Sequence, residues 1–123
     1  MDFGPLFKDL RGVKGYIAAG IATPSGEAIA GDSMDPNADV GATVALTTDV
    51  MSLAHAVAQK YGTTHCEETL MCSTNIQVLI RSTGPGSKMN LHVGCVLSAD
   101  GNIALARMFI EKLGAKAVEL LSK

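Results

Sequence analysis

The longest regular pattern in the chain runs from Val40 to Tyr61. At about 100° per residue, Leu46, Val50, Leu53, Ala54, Val57 and Tyr61 form one apolar stripe of an α-helix. That stripe is expected to pack on a sheet. The opposite side carries Gly41, Ala45, Thr48, Ser52, Ala56 and Gln59, where a solvated helix would show Lys and Glu. Small uncharged residues three and four apart let a second helix come close, so this side is expected to meet another chain. Asp39 or Asn37 can cap the start of the helix, and Gly62 can end it.

Shorter patterns surround this helix. Pro5 can open a short N-terminal helix through Leu6, Phe7 and Leu10 that Gly12 stops. From Val13 to Ala22 a strand is expected, with Val13, Ile17, Ala19 and Ile21 on one face and Tyr16, Ala18, Gly20 and Ala22 on the other, both covered. Thr23-Pro24-Ser25-Gly26 has the residues of a tight turn, and Glu27 to Met34 reads as the returning strand. Three further strands are expected over Cys66 to Ser73, Asn75 to Ser82 and Met89 to Leu97, with a flexible loop at Thr83 to Ser87. After the turn at Ser98 to Asn102, Leu105, Phe109, Leu113, Ala117 and Leu121 repeat every fourth residue, with Met108 and Leu120 beside them, in a helix expected to loosen at Gly114. The order is α-β-β-α-β-β-β-α within one domain, 1–123.

Composition sharpens the expectation of a partner. Charged residues are 18% of the chain against about 25% in typical domains, and a small domain has much surface for its core, so a neighbour is expected to cover part of it. A net charge of -2 and a pI near 5.8 supply no basic field for phosphates, and with 2 Tyr, 3 Phe and no Trp there is no stacking platform, so nucleic acid is not an expected partner. No signal-peptide core and no apolar run of about 18 residues is present, so no membrane span is expected. Three cysteines without a secretory signal point to reduced thiols and a cytoplasmic location.

Candidate chemistry does not assemble. His65-Cys66 and His92-x-x-Cys95 are spaced like metal ligands, but in strands the members of each pair project to opposite faces, so no metal is expected. Ser82 to Lys88 lacks the phosphate-loop spacing and leads into a strand, which makes it a hairpin loop. Nothing in the pattern brings Cys95, His55 and Asp49 together as a nucleophile with its base, and Glu67 and Glu68 point apart along a strand. No enzyme activity and no cofactor are expected.

Several local features are shared with a known family: Gly12-Val13-Lys14-Gly15-Tyr16 leading into the first strand, Ser25-Gly26-Glu27 at the hairpin, and Leu97 to Asn102 before Ala104-Leu105-Ala106-Arg107. With the order of elements, they make the chain from about Leu10 to Leu113 resemble the roadblock/dynein light chain family, whose α/β fold is related to longin and profilin-like layouts. The resemblance implies a central five-stranded, mostly antiparallel sheet with the long helix on one face and the terminal helices on the other. It also implies a dimer joined through the strand after the long helix, carrying Cys66, Glu68, Leu70 and Cys72, with the two long helices side by side. Members act as dynein adaptors or as regulators and scaffolds of small Ras-like GTPases, which places partner contacts near Met51, His55, Gln59 and Lys60. A monomeric profilin-like or longin-like binding module, and a small-molecule sensor with its ligand under the long helix, remain as alternatives.

Overall fold

Five strands pair antiparallel throughout: β1 (Tyr16–Ala22), β2 (Ala28–Ser33), β3 (Glu68–Cys72), β4 (Ile76–Ser82) and β5 (His92–Ser98), in the spatial order β2-β1-β5-β4-β3. The computed structural model describes residues 3–62, 65–84 and 86–123. Pro85, in the loop expected between the last two strands, lies outside these residues. A 3-10 turn (Gly4–Phe7) runs into α1 (Lys8–Arg11), which with α3 (Ile103–Leu121) covers one face of the sheet, and α2 (Val40–Lys60) crosses the other. The expected element order and layering are the observed ones.

Both long helices begin on side-chain caps. Asp39 Oδ1 accepts from the Ala42 N–H at 3.0 Å, and Asn102 Oδ1 accepts from the Leu105 N–H at 3.1 Å, each satisfying one of the donors a helix start leaves open. Gly62, at φ 83°, takes the left-handed conformation that ends α2.

The two faces of the sheet are filled very unequally. Under α1 and α3 lies the main core, where Phe7, Leu10, Val13, Tyr16, Ala19, Ile21, Leu79, Val93, Cys95 and Leu97 meet Ala106, Ile110, Leu113 and Ala117. Under α2 the buried cluster is only Met51, Val78 and Ile80, with Val50, Ala54, Cys66 and Val96 beside it. Tyr16 closes one end of the main core: its hydroxyl donates to Asp32 Oδ2 at 2.6 Å, and Arg11 donates to both carboxylate oxygens, tying α1 to β2. The Arg11 guanidinium holds the Asp32 carboxyl below its usual range, while burial pushes the Tyr16 phenol up.

Three local expectations are corrected. Tyr16 shares the α3-side core with Ala19 and Ile21, because an irregularity in the pairing of β1 with β5 between Tyr16 and Ala18 shifts the alternation; Ile17 faces the α2 side instead. The third expected strand begins at Glu68 rather than Cys66, so His65 and Cys66 belong to the connection from α2. Helix α3 runs unbroken through Gly114, which is buried where an added Cβ would stand 3.1 Å from Thr83 Cγ2 and 3.5 Å from Val93 Cγ2. Glycine there serves close approach to the sheet, and the helix tolerates it.

Candidate protein-interaction surface

Seating α2 on the sheet requires two notches. A Cβ on Gly20 of β1 would stand 2.1 Å from Val44 Cγ2, and one on Gly31 of β2 would stand 2.4 Å from Val40 Cγ1, so the two valines fill spaces that only glycine leaves. Val40, Val44, Thr48, Met51 and His55 follow one another at spacings of three and four and define the sheet-facing stripe.

Of the residues expected to pack on the sheet, Val50 and Ala54 lie beside Met51, Val78 and Ile80, whereas Leu46, Leu53, Val57 and Tyr61 are exposed. Leu46 is 66% exposed, Leu53 70%, Val57 57% and Tyr61 84%. At about 100° per residue, Leu46, Leu53 and Val57 lie nearly opposite Val44 and Met51 around the helix axis. By length and composition α2 is also long and apolar enough to cross a membrane, with a mean hydropathy of 1.3, contrary to the expectation that no segment would be. Its apolarity is divided between the stripe that meets the sheet and the stripe of Leu46, Leu53 and Val57 that stays mostly exposed.

Beyond the C-terminal end of α2 lies β3, one of the two edge strands of the sheet. Leu79 and Leu70 pair across β4 and β3, as do Val78 and Met71, and both β3 residues remain exposed. Among the described residues nothing pairs with the outer edge of β3. An outer strand with exposed Leu and Met is a template for another strand, because its backbone N–H and C=O groups keep their pairing capacity. One charge on β3 that could discourage pairing is turned inward: Glu68 accepts from Arg107 Nε at 2.9 Å and from Arg81 Nη1 at 3.1 Å, bracing β3 against β4 and α3.

A groove of about 310 Å³ follows the flank of α2 that carries Val40, Thr43, Val44 and Thr47, floored by Ile17, Ala18, Val78 and Val96 with Ile76 at its rim. Its lining is mainly apolar and no ionic pair faces it. Stripe, groove and open edge all lie on or beside the thinly filled face of the sheet. Large contiguous exposed apolar patches are, in general, where proteins meet partners.

Comparison with solved structures gives the architecture a place. The roadblock/LC7 domain from Streptomyces avermitilis superposes with a TM-score of 0.85 at 14% identity, covering all of both chains. Myxococcus xanthus MglB gives 0.75 at 13% identity over 96% of this chain and 89% of its own. This chain has the roadblock fold. MglC from Myxococcus xanthus gives 0.65 at 22% identity over 97% of this chain and 98% of its own. No family model and no curated protein sequence matches.

On this roadblock scaffold the residues singled out from the sequence fall into separate places. Of the small-residue side of α2, Gly41, Ser52, Ala56 and Gln59 are exposed and Ala45 is half-buried, but Thr48 is 3% exposed and pressed to the sheet. That side is a flank of the helix, and the outward stripe is the leucine one. Leu70 and Cys72 are exposed on β3, whereas Glu68 is held by its arginines and Cys66 packs beside Met51, Val78 and Ile80. Of the residues expected to touch a further partner, Gln59 and Lys60 are exposed. Met51 is fully buried and cannot present a surface, and His55 is half-buried with Nδ1 engaged by the Cys66 N–H. Catalytic groupings are not assembled: Asp49 is exposed, His55 lies under α2, and Cys95 is buried in the α3-side core, its thiol pushed up to about 12 by burial. Among the described residues no three of His, Cys, Asp and Glu stand where they could share a metal ion.

The role of Leu46, Leu53 and Val57 is what reasoning from sequence missed. The available signal was that Val40, Val44, Thr48 and Met51 form a second stripe at equally good helical spacing. With Asp49 at its middle and Lys60 at its end as its charged residues, α2 offers no charged face to say which stripe is wet.

Proposed function

We propose that this protein is a non-enzymatic, cytoplasmic scaffold that works as a homodimer, with β3 pairing to its counterpart and the outward stripes of two α2 helices packed together. The observation that carries the reading is that Leu46, Leu53 and Val57 stand exposed on α2 while β3, with Leu70 and Met71 exposed, keeps an open edge. Covering each α2 side chain is worth about 1–2 kcal/mol, so the stripe supplies a large share of a stable association once both copies are counted. Light scattering coupled to size exclusion tests it. A mass of two chains is expected, and a mass of one chain at every concentration overturns the reading.

The partner of the dimer, in this proposal, is a small Ras-like GTPase. Support comes from the resemblance in the N-terminal strand, hairpin and C-terminal turn motifs, and from the shared fold with MglB and MglC. Titration calorimetry with such a GTPase loaded with GDP or with a GTP analogue is expected to show preference for one nucleotide state. Equal affinity for both, or no binding, removes the regulatory role.

The groove under α2 favours one second reading, a sensor of an apolar small molecule. A thermal shift produced by apolar metabolites in a chain that stays monomeric would select it over the scaffold.

A further inference from the structure

All three histidines of the chain gather beneath the C-terminal half of α2. His55 is the shared neighbour, its ring centroid 6.1 Å from that of His65 and 6.0 Å from that of His92. His55 Nδ1 accepts a hydrogen bond from the backbone N–H of Cys66 at 2.7 Å. The neutral ring therefore carries its proton on Nε2. This bond fastens α2 to the connection that enters β3 two residues later. His92 approaches from β5, is 3% exposed, and has no hydrogen-bond partner on either ring nitrogen among the described residues.

A metal ion does not account for the cluster, because the Nδ1 lone pair of the shared histidine is already taken by an N–H donor. What the arrangement opposes is a proton. Protonation turns His55 Nδ1 from acceptor to donor and sets it against the Cys66 N–H, donor to donor. The new charge also arrives beside two more imidazoles. The titratable groups facing it are His65 and the Cys66 thiol from the connection and His92 from β5; β4 contributes apolar Val78 and Ile80, and Ser82, whose hydroxyl is committed to Asn90. Glu68 is occupied by Arg81 and Arg107, Lys60 and Glu67 are exposed, and none of the ion pairs among the described residues includes a histidine.

We propose that His55 is a proton-operated latch: its protonation breaks the tie to Cys66, frees the segment leading into β3, and so weakens the pairing of β3 between copies. The effect on pairing rests on the dimer proposed above, whereas the release of Cys66 does not. Burial, then His65, lowers the His55 pKa below 6.5, and burial, then His55, lowers that of His92. The folded chain thus binds fewer protons than the unfolded one. Stability is complete above the unfolded value of 6.5 and declines as pH falls through and below it.

The test is an NMR titration of the full chain between about pH 8 and about pH 5, the range in which histidine changes charge. The Cys66 amide proton is expected to shift with the same midpoint as the His55 ring, and the dimer dissociation constant to rise on the order of tenfold toward the acid end. In His55→Asn, whose Oδ1 replaces Nδ1 without titrating, the amide should stay fixed and the mass hold steady. An amide that ignores the His55 midpoint overturns the latch, as does a His55→Asn chain that keeps the wild-type acid response. The wild-type comparison of midpoints needs no variant to fold. A chain already monomeric at about pH 8 overturns the dimer, while the Cys66 amide still decides the latch.

Discussion

The two long helices lie on opposite faces of one sheet and follow opposite plans. Helix α3 buries Ala106, Ile110, Leu113, Gly114 and Ala117 and carries Arg107, Glu111, Lys112, Lys116 and Glu119, so its charges mark its wet side. Helix α2 is longer, buries only Val44, Thr48 and Met51, and shows its largest apolar side chains to the outside. An apolar stripe by itself says that something will cover it. Which neighbour does so is decided by charges, where a helix has them, and otherwise by the shape of the surface below.

The contrast is broken most strongly from the α3 side. Leu113→Ala should cost about 2–5 kcal/mol of folding stability, read from urea denaturation, because it opens a cavity in the filled face while leaving the association surface untouched. The corresponding change on α2, Leu46→Glu with Leu53→Glu, should leave the circular dichroism of the folded chain in place and halve the mass in solution. On this view Ser52→Lys with Ala56→Glu, on the flank, should have the smaller effect on mass. If the leucine pair instead unfolds the chain while the flank pair splits the dimer, the assignment of the two sides is reversed. Gly20→Ala should lift the start of α2 off β1 and cost about 1–3 kcal/mol in the same denaturation, since Val44 has to give way. The smallest change expected is a gain: the Thr48 hydroxyl is buried without a partner among the described residues, so Thr48→Val should be neutral or stabilising by up to about 1 kcal/mol.

How much of this was legible from residues alone follows the range of the interactions. Turns and caps are local, and Asp39, Gly62 and the hairpin after Ala22 could be read directly. The element order followed from them together with the strand and helix periodicities, and the layout of the sheet was implied by the family resemblance. The facing of α2 could not be read, because it depends on Gly20 and Gly31 making notches on two strands that the helix reaches only in the folded chain. The same holds for Gly114, which looks like a weak point in a helix and is a fitting surface for Thr83 and Val93. His55, His65 and His92 are scattered in sequence and belong to a helix, a connection and a strand, so no spacing rule joins them. The place of β3 at a margin of the sheet followed from order and resemblance, whereas the exposure of Leu46, Leu53 and Val57 on α2 did not.

The sheet has two margins, β2 and β3, and only one of them is needed for the association proposed. An isologous union uses up β3 in both chains at once. What results is a sheet of five strands plus five, bounded by two copies of β2, with no second β3 left to recruit another chain. In the association proposed, the position of one short strand at the end of the order would set a stopping rule: pairing by that route would end at two and not run on into a fibre.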